Sequence, residues 1–341
     1  MGNETFKSDW VISDTYIDQS SNVVIPAVSV IIPTYNRWPI VEEAIESVLA
    51  QSYGAFEIIV IDDGSDDGTA DRLQKYAASL RLVSRERRGV AAARNYGVSI
   101  AQGQYVAFLD SDDLWLPNKL EIQRAFMDQH PEAQICQTEE IWIRHRTRVN
   151  PKAKHRKPSG DIFRRSLDLC LVSPSTVMMT KELFNRVGGF DEGFPVCEDY
   201  DLWLRIAVEY WVGLVPTALV IKRGGHADQL SRSMWGMDRY RVRSLQNILR
   251  SGLRGAKREW TLEALARKVS VLYRGAKKRG KEDEAVAYEA ILSEFFEERV
   301  DVGGADSPIC AGEGVPTSDA GKVVELGSAG QGCPVPSDPW A

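Results

Sequence analysis

VSVIIPTYNRWPIVEEAIESVLAQSYGAFEIIVID, residues 28–62, reads as one complete strand–helix–strand unit. It opens on Val28, Ser29, Val30, Ile31 and Ile32, a short β-branched run of the kind that fills a buried strand. Pro33 and Asn36 end that run. Ile40, Val41, Ala44, Ile45, Val48 and Leu49 then recur at helical spacing, with Pro39 suited to a first helical turn. Gly54 closes the helix. A second apolar run, Ile58 to Ile61, begins about 30 residues after the first, which is the length of one βαβ unit.

The same alternation continues outward. The pattern predicts a helix over 69–79, a short strand near Leu82, a helix over 90–101 and a strand over 105–109. Alternating elements with wholly apolar strands predict an α/β fold, Rossmann-like, with a mostly parallel central sheet flanked by helices. Ligands in such folds collect beyond the carboxyl ends of the strands. Polar clusters fall there: Tyr35 and Asn36 after the first strand, Asp62 to Ser65 after the second, Asp110 to Asp113 after the last. Beyond Pro117 the reading gives a helix to Gln129, a strand near Ile135 and a buried strand over 211–221, despite Gly213 and Pro216. Residues 1–26 read as a polar arm, 27–235 as the main domain (halves 27–113 and 114–235), and 236–300 as a helical extension. Residues 301–341, rich in Gly, Ser, Pro and Ala without apolar periodicity, are expected to be disordered.

Composition narrows the function. With 43% apolar and 26% charged residues the chain is an ordinary globular protein, and a net charge of −6 argues against a dedicated nucleic-acid binder. No window approaches the roughly 18 to 20 apolar residues that cross a bilayer. MGNETFKSDW has no signal-peptide pattern, and Phe6 stands where a myristoylated Gly2 would want Ser or Thr. The five cysteines include no C-x-x-C pair, which argues against a zinc site or a disulfide framework and fits a reducing cytoplasm.

Three acidic clusters carry the candidate chemistry. In extended chain, Asp110 and Asp112 would lie on one side and approach one cation, with oxygen ligands suited to Mg²⁺ or Mn²⁺. The plain alternative is a solvated loop whose aspartates cap the next element. Asp62 to Thr69 is equally readable as a turn with an N-cap. Glu198 and Asp199 open an amphipathic helix, where carboxylates complement the helix dipole or, alternatively, supply a general base. His226, on a glycine-containing loop before Ser231 and Ser233, is either a metal or phosphate ligand or a bystander.

Together these segments resemble the family 2 glycosyltransferases, which have the GT-A fold. The motifs stand in family order: VSVIIPTYNR at 28–37, ESVLAQSY at 46–53, EIIVIDDGSDDGT at 57–69, GVAAARNYGVSIAQGQYVAFLDSDD at 89–113, GGFDE at 188–192 and EDYDLWLR at 198–205. The resemblance covers about 60% of the chain, from Val28 to Ser233. It implies a nucleotide pocket at Pro33, Thr34, Tyr35 and Asp63, with Tyr35 against the base and Asp63 at its edge, and a donor contact at Arg94. It implies that Asp110 and Asp112 are the DxD pair, Asp112 the direct metal ligand and Asp110 nearer the ribose or metal shell. Asp199 would be the catalytic base and Glu198 its neighbour, while His226, Ser231 and Ser233 would form a loop over the diphosphate. The implied reaction is inverting, metal-dependent transfer from a nucleotide-diphosphate sugar, UDP by family frequency, to a glycan or lipid-linked acceptor hydroxyl. No Gln/Arg-x-x-Arg-Trp motif of processive synthases is present, which implies single transfers.

Two basic regions bear on the acceptor. Arg144, Arg146, Arg148, Lys152, Lys154, Arg156 and Lys157 form an acid-free run, and 241–281 carries thirteen Lys and Arg against two Glu. Each is readable as a solvated surface, as a contact with an anionic acceptor, or as a peripheral contact with an anionic membrane. The helical extension is equally readable as an oligomerisation element. The rival readings are a sugar-phosphate nucleotidyltransferase, which would carry a Gly-rich basic phosphate loop where PTYNR stands, and a sugar-nucleotide-binding module without catalysis. A phosphohydrolase lacks its clustered histidines, and no G-x-G-x-x-G follows a strand.

Overall fold

The computed structural model describes residues 26–225 and 236–296. The elements run β1 (Val28–Thr34), α1 (Ile40–Leu49), β2 (Phe56–Asp62), α2 (Thr69–Leu73), β3 (Arg81–Ser84), α3 (Val90–Ile100), β4 (Tyr105–Phe108) and β5 (Leu114–Trp115). They continue α4 (Lys119–Gln129), β6 (Ile135–Arg144), β7 (Thr147–Val149), α5 (Phe163–Ser166), β8 (Val177–Thr180), α6 (Lys181–Arg186), α7 (Glu198–Glu209) and β9 (Gly213–Gly224). Three helices follow, α8 (Asp238–Arg250), α9 (Gly255–Lys278) and α10 (Glu282–Phe296).

The strands form one sheet in the order β3-β2-β1-β4-β8-β6-β9-β5, with β7 hairpinned onto β6. The first four pair in parallel, as the βαβ reading expects. From β4 outward the sheet is mixed: β8 runs antiparallel to β4 and β6, while β9 is parallel to β6. Pro216 lies where the β6–β9 register slips, between Val215 opposite Thr138 and Ala218 opposite Glu139. A residue without an N–H donor is tolerated at such a bulge.

Strand alternation divides the core into two layers. Val28, Val30, Ile32, Ile58 and Val60 pack with α1 on one face, while Ile31, Ile59, Ile61, Val106 and Phe108 pack on the other. The second layer also takes Val242, Leu245, Leu262, Leu265 and Val269, so α8 and α9 belong to the same core as the sheet. Ser244 Oγ donates to the buried Asp201 at 2.8 Å and ties α8 to α7. None of the described helices is long and apolar enough to cross a membrane.

Two local expectations are corrected. The helix read over 69–79 stops at Leu73 and gives way to one 3-10 turn, Gln74–Tyr76. Leu73 is its last buried side chain until Leu80, so nothing apolar holds further turns. The Asp110 to Asp113 segment is not extended: Asp113 N donates to Asp110 O at 3.0 Å, making a tight turn.

Gly97 sets how closely α3 lies on β1, since an added Cβ would stand 2.5 Å from Ile31 Cγ2. Gly97→Val should lower the unfolding free energy by about 2 kcal/mol through overpacking, measured by urea denaturation.

Candidate active site

Three strand ends and one helix start carry the candidate residues. Tyr35 follows β1, Asp63 follows β2, the Asp110 turn follows β4, and Glu198 and Asp199 open α7. Cys197, just before them, holds φ 64°, a left-handed conformation that few non-glycine residues adopt. That bend turns the chain so that the two acids enter the first helical turn.

Arg94 on α3 joins the parts. Its Nη2 donates to Asp110 Oδ1 at 2.6 Å and its Nη1 to Glu198 Oε1 at 2.7 Å. Its residue is only 3% exposed, and its guanidinium lies 5.1 Å from the Phe190 ring centroid. Phe190 is held in turn by Asn95, which accepts from its N–H at 2.9 Å and donates to its carbonyl at 2.8 Å. Gly189 must lack a side chain, because its φ is +65° and a Cβ would stand 2.8 Å from Asn95 Oδ1. The ARN and GGFDE segments therefore clasp each other beneath the carboxylates. Arg94 faces the carboxylates as a buried cross-brace.

The two acids of α7 live in different surroundings. Glu198 is buried; burial first, and the Asp199 charge second, push its carboxyl up to about 7 against the opposing pull of Arg94. Asp199 is half-buried, with Cys170 Sγ donating to Oδ2 at 3.4 Å and the Tyr200 N–H to Oδ1 at 2.6 Å.

Asp113 proves to be a structural clasp. Its Oδ2 accepts from Ser175 Oγ at 2.7 Å and its Oδ1 from the Arg223 N–H at 2.9 Å. Burial first, then Asp112 and Asp110, push its carboxyl well above the usual range. Ser175 also accepts the Asp110 N–H at 3.1 Å. Sequence reasoning missed Lys222. Burial would lower its ammonium, but Glu140, Asp113, Asp110 and Asp199 outweigh that and hold its pKa above the ordinary value. Its Nζ donates to Ser173 Oγ at 2.9 Å. Strand alternation was the available signal, since Lys222 lies on the same side of β9 as the fully buried Val220.

On the nucleotide side, Thr34 and Asp63 are buried and β1 pairs Pro33 with Ile61 of β2. Asp63 Oδ1 accepts from the Arg88 N–H at 3.0 Å, and Oδ2 from the Gly89 N–H at 2.6 Å. Arg87 covers the Tyr35 ring, 3.8 Å from its centroid. Among the described residues no three His, Cys, Asp or Glu side chains form a ready cation cage. Asp110 and Asp112, on one turn, still offer the hard oxygens that Mg²⁺ or Mn²⁺ takes when substrate phosphates complete its shell. The donor set fits such an ion. His226, Ser231 and Ser233 lie outside the described residues.

The sequence profile described as Glycosyl transferase family 2 matches residues 29–188. The E. coli UDP-Glc:alpha-D-GlcNAc-diphosphoundecaprenol beta-1,3-glucosyltransferase WfgD is 35% identical over 181 residues, 52% of this chain and 69% of its own length. The chain belongs to glycosyltransferase family 2. An uncharacterized glycosyltransferase of Rickettsia typhi is 35% identical over 198 residues, 56% of this chain, of which this chain spans 62%. Among solved structures, S. aureus TarS 1–349 in complex with UDP-GlcNAc superposes with TM-score 0.66 at 22% identity, covering 80% of this chain and 82% of that one. The Pyrobaculum calidifontis mannosyltransferase in complex with GDP-Man and Mn²⁺ gives 0.52 at 22% identity over the same shares. These two likenesses establish the shared GT-A fold.

Arg94→Met should cost about 3–5 kcal/mol of stability, the penalty of leaving the buried Glu198 and the half-buried Asp110 unpaired, read by denaturant unfolding. Between pH 4.5 and about 7 the folded protein retains the Glu198 proton that the unfolded chain releases. Its contribution to stability therefore falls as pH rises through that window. Glu198→Gln should flatten that slope, measured from unfolding midpoints across the pH range.

Proposed function

We propose that the protein is an inverting, metal-dependent glycosyltransferase that moves a sugar from a nucleotide-diphosphate donor to an acceptor hydroxyl. The observation that carries this reading is the arrangement of Asp110 and Asp112 on one turn and Asp199 on a facing helix start, braced through Arg94 and Glu198. A UDP-sugar is the favoured donor, since WfgD is named for UDP-Glc and TarS was solved with UDP-GlcNAc. The acceptor is a glycan or lipid-linked sugar of cell-envelope polysaccharide synthesis. WfgD acts on a diphosphoundecaprenol-linked sugar, and TuaG of Bacillus subtilis, 48% identical over 106 residues, is named for teichuronic acid biosynthesis. Such an acceptor would place the reaction at the cytoplasmic membrane surface.

In this mechanism Thr34, Tyr35 and Asp63 orient the nucleotide, with Pro33 fixing the end of β1. Asp112, aided by Asp110, would hold a divalent ion that supplies charge neutralisation at the diphosphate. Asp199 takes the proton of the acceptor hydroxyl as its oxygen forms a bond to the anomeric carbon. The bond from that carbon to the diphosphate oxygen breaks on the opposite face, and the leaving nucleoside diphosphate keeps the electron pair. Glu198, paired with Arg94, holds the helix start in place. Lys222 moderates the repulsion among Asp110, Asp113 and Asp199.

Asp199→Asn should lower transfer by about 10²–10⁴-fold, the usual contribution of a general base, with donor binding retained. Asp112→Ala should instead abolish the Mn²⁺-dependent part of donor binding. A thermal-shift panel of UDP-, GDP- and dTDP-sugars with Mn²⁺ reads both binding outcomes and identifies the base. Near-normal turnover by Asp199→Asn would remove the base assignment.

A further inference from the structure

We propose that the cleft between β6 and the 3-10 turn Ala153–His155 binds a phosphoryl group of the acceptor. The inference rests on the glycosyltransferase reading and adds the acceptor's chemical class. The cleft has a volume of about 280 Å³, and its lining includes Glu140, Trp142, Lys152, His155, Arg156 and Lys157.

The two basic regions of the sequence behave differently once folded. In the C-terminal helices the cations largely have partners: Arg241 and Lys268 meet Asp238, Arg250 meets Glu294, Arg267 meets Asp168, and Lys277 meets Glu282. In the hairpin segment, Arg144, Arg146, Arg148, Lys152, Lys154 and Arg156 are all exposed, and none has a carboxylate partner among the described residues. Among the described residues these six cations form no ion pair, while the cleft's own acids are Glu139 and Glu140, the latter paired with Lys157.

The charge also converges on the cleft. Burial first, then Lys154, Arg144 and Lys152, lower the His155 imidazole below its ordinary pKa. Its ring stands 5.3 Å from that of Trp142, and Arg144 lies 5.5 Å from the same Trp142 centroid. Lys152 and Arg156 line the same concavity, and neither side chain has an ion-pair partner among the described residues. Convergent donors of this kind suit a compact anion with several acceptor oxygens, and Arg in particular pairs with phosphate through two parallel bonds. A concave wall favours an inserted group over a flat bilayer surface.

Glu140 connects the cleft to the reacting end. It lines the cleft, accepts from Trp142 Nε1 at 2.7 Å and lies 3.4 Å from Lys157 Nζ. Burial would raise its carboxyl, but Lys157 and Lys222 hold it down at about 2, so it stays charged. Lys222 in turn interacts with Asp199.

The test uses the full chain and inorganic phosphate as probe, titrated calorimetrically into protein saturated with UDP so that the donor pocket is filled. Phosphate should bind, and Lys152→Gln with Arg156→Gln should weaken it about tenfold or more, the loss of at least one charge-assisted contact, with UDP affinity and unfolding midpoint unchanged. Absence of phosphate binding to the UDP-loaded protein, or equal binding by the double variant, would overturn the proposal. So would a double variant that keeps phosphate affinity but loses binding to phosphatidylglycerol vesicles, since the cations would then serve a membrane surface. Failure of UDP, GDP and dTDP alike to bind would sink the glycosyltransferase reading, whereas nucleotide binding without phosphate binding sinks the cleft alone.

Discussion

A single guanidinium holds the site together. Arg94 lies on α3, in the first half of the chain, yet its partners come from the turn after β4 and the start of α7, 16 and 104 positions away in sequence. A buried cation is costly unless its charge and its donors are met, and two carboxylates at 2.6 and 2.7 Å meet them. Carboxylates that close would in turn repel each other without the cation between them. The three groups are therefore stable only as a set. The set fixes the separation between the strand end that would face the diphosphate and the helix start that would face the acceptor.

That brace depends on packing below it. The Phe190 ring carries Arg94, Asn95 clasps the Phe190 backbone, and Gly189 leaves room for that clasp. Phe190 also meets Phe108 edge-on, with ring centroids 5.5 Å apart, and Trp203 at 6.2 Å. The aromatic layer thus transmits position from β4 and α7 to the charged layer above. Lys222 does similar work from the far side of the sheet, entering the acid cluster from β9. Two cations from distant elements, Arg94 buried and Lys222 half-buried, balance these acids.

The fold was largely legible because its signal is local. The βαβ run over 28–62 specifies strand, helix and strand through periodicities that depend only on near neighbours, and the parallel half of the sheet follows. The mixed half was less legible: β6, β8 and β9 pair across long separations, and apolar periodicity does not reveal strand direction. The acids were visible as motifs, but their division of labour was not. Asp113 looks like Asp112 in sequence, and only the Ser175 hydroxyl and the Arg223 N–H make it a clasp. Arg94 was visible in its motif as a donor contact but not as a brace, and Lys222 was not visible at all, because a cation's partners here are set by which acids the tertiary fold brings to it.

The adjacent acids Glu198 and Asp199 occupy two different environments. Successive helical residues point about 100° apart, so when one side chain turns inward its neighbour cannot follow. Glu198 turns toward Arg94, where burial favours the neutral acid and the guanidinium favours the anion. Its carboxylate is engaged at 2.7 Å and its side chain is 10% exposed, so an incoming hydroxyl has little access to it. Asp199 is half-buried, and its outer contacts are a thiol and its neighbour's N–H, both weaker claims than an ion pair. A general base needs a free lone pair within hydrogen-bond reach of the proton it takes. By that criterion Glu198, engaged by Arg94, is the less accessible of the two, and Asp199 has the less committed carboxylate.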